Sequence, residues 1–172
     1  IVDVRDEEDY KKGHLPHSVN LMKEAKFETW LGSIIKPNEL FYIAASDENS
    51  LKEAIARTAA IGYEAQVEEV LEYNEVTQEK IDVNKFEEHT NDYTIVDVRN
   101  KSEVKEKNIF ENSISIPLGE LIENVSKIPL DKPVVVHCAS GYRSAAGSSL
   151  LQSQLNGAVK VFDLGVAVKK FM

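Results

Sequence analysis

Thiols are almost absent from this 172-residue chain: Cys138 is its one cysteine, beside one tryptophan, five prolines and no long apolar run. With a single thiol, no disulfide can close within the chain and no cysteine-based zinc cluster can be assembled. A lone unpaired thiol fits a reducing compartment and no secretory leader pattern stands at the start, so the expected location is the cytoplasm. No apolar stretch approaches the ~20 residues of a membrane-spanning helix. Histidine is also scarce, and its one close pair, His14 and His17, has Pro16 between and no carboxylate pair at ligand spacing. The aromatic residues are scattered without a stripe, so neither a metal nor a cofactor is expected.

Positive charge is short in the first half alone. Residues 1–79 hold 8 Lys and Arg against 17 Asp and Glu, whereas residues 80–172 balance at 12 against 12. The net charge of −9 therefore belongs to the first half. An acidic face repels nucleic acid and anionic membrane, so neither is expected as a partner, while the neutral half can admit a small anion. The runs at Asp6–Asp9 and Glu68–Glu69 read as solvated faces.

Against that background the segment Val134-Val-Val-His-Cys-Ala-Ser-Gly-Tyr-Arg-Ser144 stands out. Pro133 to Val136 reads as a buried strand, and Ser144 to Leu155 as a helix stopped by Asn156 and Gly157. Cys138 then lies at a strand-to-helix turn, where unpaired backbone N–H groups converge and favour an anion. Arg143, five positions on, supplies a cation, so the expectation is an accessible, readily alkylated thiolate. Gly141 suits a loop that needs positive φ. Ser144 reads as an N-cap or as a donor to the sulfur, and His137 as a satisfied strand residue without a catalytic role.

The chain also repeats itself. Ile1-Val-Asp-Val-Arg5 recurs as Ile95-Val-Asp-Val-Arg99, an offset of 94. The same offset sets Leu40–Ala44 on Val134–Cys138 and Ser50–Ile61 on Ser144–Leu155, and a one-residue shift sets Ser18–Leu21 on Ser113–Ile116. Two related domains follow, each expected to run strand, helix, strand, strand, helix around a small parallel sheet. Leu71 to Lys80, polar and acidic, reads as a partly ordered linker.

Three motifs together resemble the rhodanese-like sulfurtransferases: Asp-Val-Arg after an apolar strand, twice; Gly13-His-Leu-Pro-His-Ser-Val-Asn20, of the family's Gly-His-Ile-Pro-Gly-Ala-Ile-Asn type; and His-Cys-x4-Arg-Ser. The resemblance covers essentially the whole chain. It implies an α/β protein of two rhodanese-like domains, 1–74 and 80–172, each a small, mainly parallel sheet flanked by helices. Ile81–His89 is similar to the lead-in of such a domain, and Lys107–Asn112 departs from the Gly-His-x-Pro pattern. A narrower resemblance, to the C-terminal part of bacterial fusions with a metallo-β-lactamase-fold persulfide dioxygenase, implies a further domain before Ile1, which opens directly on a strand.

The resemblance also implies a reaction: sulfane sulfur passes from thiosulfate or a thiol persulfide, through a Cys138 persulfide, to a thiol, sulfite or cyanide. Ala139, Ser140, Gly141, Tyr142, Arg143 and Ser144 would hold the small anionic donor. Related phosphatases carry one residue more between cysteine and arginine, and the shorter loop here suits a terminal sulfur better than a tetrahedral phosphate. A persulfide carrier or regulatory module, and less favourably a small phosphatase or arsenate reductase, remain alternatives, and a homo-oligomer stays open. In the first copy the offset of 94 sets Ala44 on Cys138 and Asn49 on Arg143, with Asp47 and Glu48 in the loop, so that copy is expected to be degenerate. Without a second thiol, an oxidised Cys138 would need an external thiol for repair.

Overall fold

Residues 1–24, 26–70 and 77–172 are described by a computed structural model in which the chain divides into two units, Ile1–Gln78 and Glu79–Met172. The first runs β1 (Val2–Asp3), α1 (Glu7–Lys12), β2 (Val19–Asn20), α2 (Phe27–Ile34), β3 (Phe41–Ala44), α3 (Glu48–Ala59) and β4 (Val67–Val70). The second runs α4 (Val83–Glu88), β5 (Thr94–Asp97), α5 (Lys101–Glu106), β6 (Ile114–Ser115), β7 (Val134–His137), α6 (Tyr142–Leu155) and β8 (Val161–Asp163). Each unit holds a four-stranded parallel sheet, ordered β2-β1-β3-β4 and β6-β5-β7-β8. Beyond the expected order, the first unit adds α2 and both units add a strand after the long helix. Of the expected linker, residues 71–76 lie outside the described residues; Gln78 is buried, its backbone N–H donating to the Lys11 carbonyl at 3.2 Å.

Strand alternation divides the second core into two layers. Ile95 and Val135 face a cluster with Phe86, Phe110, Phe162, Leu164 and Val168. Val96, Val98 and Val136 are fully buried. On that second face Gly147 of α6 lies so close that a Cβ there would stand 3.1 Å from Val136 and 3.2 Å from Val98. The Ala145-Ala-Gly-Ser-Ser149 face of α6 is small for this reason, and its buried hydroxyls on Ser148 and Ser149 are satisfied by the Ala145 carbonyl. Close packing of α6 on the central strands fixes where the helix starts, and with it the loop that carries Cys138.

The repeated Asp-Val-Arg motif is a backbone lock. Asp97 is fully buried and accepts from the Arg99 guanidinium at 2.6 to 3.0 Å, while Arg99 also donates to the Lys107 carbonyl at 3.0 Å. In the first unit Arg5 binds Asp3 and reaches the Gly13 carbonyl at 2.7 Å. The turn that follows is likewise shared, since Ser18 bonds back to Leu15 and Ser113 to Phe110. Loss of Gly-His-x-Pro therefore leaves the turn intact, with buried Phe110 in place of Leu15.

Candidate active site

β5 leads on to β6 at one edge of the sheet and β7 to β8 at the other, so the order reverses between the two central strands, the point where open parallel sheets place ligands beyond the carboxyl ends of their strands. Cys138 immediately follows β7 at that point. Its loop is a free-thiol cradle: the Gly141 N–H donates to Cys138 Sγ at 3.2 Å. Gly141 has φ +102°, and a Cβ there would meet the Val166 nitrogen at 3.1 Å. The segment after β8 thus closes one wall, held by the Gly165 N–H donating to the Asp163 carboxylate at 2.8 Å.

Of the other loop residues expected to bind a donor, Ser140 is exposed and Ala139 and Tyr142 are half-buried. The sulfur itself differs from the expectation of an accessible thiol. Cys138 is fully buried, and the Gly141 N–H of its own loop lies against the sulfur. Ser144 also differs: α6 begins at Tyr142 with Gly141 as its N-cap, so Ser144 lies inside the first turn. Its hydroxyl donates to the Gly141 carbonyl at 2.9 Å, bracing the loop without touching the sulfur.

His137 is buried edge-to-face against Phe110, with ring centroids 4.9 Å apart. Burial pushes its pKa down, opposed by the Asp97 carboxylate 3.6 Å from Nε2. That nitrogen has no hydrogen-bond partner, so the residue is less satisfied than a strand histidine was expected to be. His14, by contrast, stacks on Tyr10 and bonds its carbonyl through Nδ1 at 2.9 Å, a packing role. No group of residues suited to a metal occurs among the described residues.

Sequence reasoning missed Glu103. Arg143 Nη1 and Nη2 donate to its two carboxylate oxygens at 2.6 and 2.8 Å, a bidentate pair joining α6 to α5. The pair holds the Glu103 carboxyl down to about 2, chiefly through the Arg143 bonds, and raises Arg143. Glu103 also closes a capping box by accepting the Asn100 N–H at 3.1 Å. Asn100-x-x-Glu103 is the signature of that box and could have marked the residue, although not its partner.

Strand pairing corrects the internal alignment. Val2 and Asp3 pair Ile43 and Ala44, while Val96 and Asp97 pair Val136 and His137. Ala44 therefore corresponds to His137, and Ala45, not Ala44, stands at the cysteine position. The helices still match at 94, because Asp47 and Gly141 are the two N-caps. The first loop is thus one residue shorter. Asp47 fills its helix N-terminus with a carboxylate, accepting from the Ser50 N–H and from the Ser46 and Ser50 hydroxyls at 2.9 Å, which lower its pKa to about 2. In the second unit Gly141 supplies no such side chain, and its own N–H points to sulfur.

Two copies of one parallel α/β domain, with a cysteine at the strand-to-helix loop of the second, define a class of protein. A family model described as the rhodanese-like domain matches residues 1–75 and again 82–169. The chain belongs to the rhodanese-like family, as a tandem of two domains. It is 31% identical over 70 residues to a sulfurtransferase of Allochromatium vinosum, a match spanning 41% of this chain and 64% of that protein. Among solved structures, a rhodanese-related protein of Thermoplasma volcanium is 37% identical over 49% of this chain and 80% of its own, with a TM-score of 0.43. A thiosulfate sulfurtransferase of Pseudomonas aeruginosa aligns over 96% of this chain and 37% of its own at 17% identity and a TM-score of 0.42.

Proposed function

We propose that the second unit is a sulfurtransferase with Cys138 as its nucleophile and the loop 139–144 as its donor cradle. The thiolate attacks a sulfane sulfur. The sulfur–sulfur bond of the donor breaks, sulfite or a thiolate leaves with the electron pair, and Cys138 is left as a persulfide anion. An acceptor thiolate, sulfite or cyanide then attacks the outer sulfur and regenerates the Cys138 thiolate. The observation that carries the reading is the Gly141 N–H aimed at Cys138 Sγ at 3.2 Å in a loop with only four residues between cysteine and arginine. Such a cradle fits one terminal sulfur anion. Because the sulfur is buried, donor access requires displacement at the rim, where Ser140 and Val166 are exposed.

The first unit is read as non-catalytic, since Ala45 and Asn49 replace nucleophile and cation and Asp47 fills the cradle. Membership of a larger persulfide-oxidising protein belongs to the same proposal, and a His-x-His-x-Asp-His motif encoded upstream would support it. In a turnover assay with thiosulfate or a thiol persulfide beside a phosphate ester, wild type should transfer sulfur and leave the ester intact, and Cys138→Ser should transfer none. Ester hydrolysis without sulfur transfer would overturn the proposal; stoichiometric loading without turnover would replace it with a carrier.

A further inference from the structure

We infer that Glu103 is a specificity-determining residue: by pairing with Arg143 it cancels the charge of the loop's guanidinium and biases the site toward singly charged sulfane donors, against the dianion thiosulfate. The inference rests on the sulfurtransferase reading and concerns the same loop.

The loop carries one formal cation, Arg143, and that guanidinium is held in two parallel hydrogen bonds of 2.6 and 2.8 Å by a carboxylate. Its side chain is 13% exposed and that of Glu103 34%, so the pair is only partly screened by water. Nearby, Asp97 and Arg99 are buried and neutralise each other. Asp163, at the end of β8, adds a buried carboxylate that accepts from the Gly165 N–H at 2.8 Å. What remains to attract an anion is the backbone: the Gly141 N–H and the start of α6, worth about half an elementary charge. That suffices for a thiolate or one persulfide anion. A dianion arriving beside the thiolate meets a guanidinium whose charge Glu103 already offsets, so its second charge gains little there.

The first unit offers an internal comparison. At the position of Glu103 it has Asp9, and at that of Arg143 it has Asn49. Asp9 binds Lys12 at 2.6 Å instead. The copy that lacks the cysteine thus keeps a carboxylate but lacks the guanidinium, and its carboxylate turns to Lys12.

Thiosulfate and methanethiosulfonate separate charge from chemistry. Both present a terminal sulfane sulfur on an oxidised sulfur, and they leave as sulfite and methanesulfinate respectively, but the first is a dianion and the second a monoanion. Wild type should show the higher kcat/KM with methanethiosulfonate. Glu103→Gln, which keeps shape and removes charge, should raise the thiosulfate to methanethiosulfonate ratio by about tenfold, chiefly through KM for thiosulfate, and the gain should shrink at high salt. Glu103→Asp should keep a ratio near that of wild type. In an Arg143→Gln background, Glu103→Gln should leave the ratio unchanged. An unchanged ratio in the single variant, or an equal fall in kcat for both donors, would overturn the inference while leaving sulfur transfer standing. Failure of both donors to load Cys138 in wild type would overturn the sulfurtransferase reading and the inference together.

Discussion

Gly141 meets two demands at once: a φ of +102° that L side chains rarely adopt, and backbone of the Gly165–Val166 segment 3.1 to 3.2 Å from where a Cβ would stand. Gly141→Ala should therefore cost roughly 1–3 kcal/mol of stability and turn the N–H away from Cys138 Sγ, lowering the rate of sulfur loading as well. Urea unfolding and single-turnover loading measure the two effects, and a variant as stable and as fast as wild type would contradict this account of the loop. Cys138, Gly141 and Arg143 could be singled out as candidates from the sequence because a thiol, a glycine and a guanidinium fall within six consecutive residues. Glu103 was not, because its carboxylate meets Arg143 across a separation of 40 residues, a contact made only by the packing of α5 beside α6. The burial of the sulfur was not legible either, because the exposure of a side chain is set by tertiary packing, and here residues as distant in sequence as Gly165 and Val166 pack against Gly141 of the same loop.

Elements show where a repeat can mislead. Strand and helix both recur, yet the loop between them loses one residue in the first copy, and Ala44 and Ala45 are chemically alike, so nothing in the letters fixes the slip. Hydrogen bonding does, since the Ala44 and His137 carbonyls accept from Val4 and Val98 respectively. The short second strands were legible with their one-residue shift, for Val19 and Ile114 hold the same register against Val2 and Val96. The last strands, β4 and β8, went unread because three- and four-residue segments carry too little alternation to declare themselves. One turn is testable by substitution. His17 sits at φ +62° in an exposed position where the family pattern has glycine. His17→Gly should relieve the left-handed strain and stabilise the first unit by about 1 kcal/mol, read as a higher urea midpoint. A midpoint equal to or below that of wild type would show that this turn holds no such strain.

At the scale of the molecule, duplication made the fold readable: an identical Ile-Val-Asp-Val-Arg at the start of two strands announced two domains of one kind. The duplicated residues proved to be structural, locking the turns after α1 and α5, while the copies differ at the loop that holds Cys138 in the second. One copy closes its helix N-terminus with Asp47; the other leaves it open to Cys138. The acidic surplus lies in residues 1–79, so the balanced remainder, residues 80–172, is the part suited to receive a small anion. No helix among the described residues is long and apolar enough to cross a membrane. The central claim, that Cys138 carries the transferred sulfur, is tested most directly by intact-mass measurement of the whole chain after exposure to thiosulfate, methanethiosulfonate or a thiol persulfide and removal of excess donor. Wild type should gain the mass of one sulfur atom, located on the Cys138 peptide and lost on addition of cyanide, while Cys138→Ser gains nothing. A wild-type chain that acquires no sulfur from any of these donors, or a serine variant that acquires as much, would contradict the account.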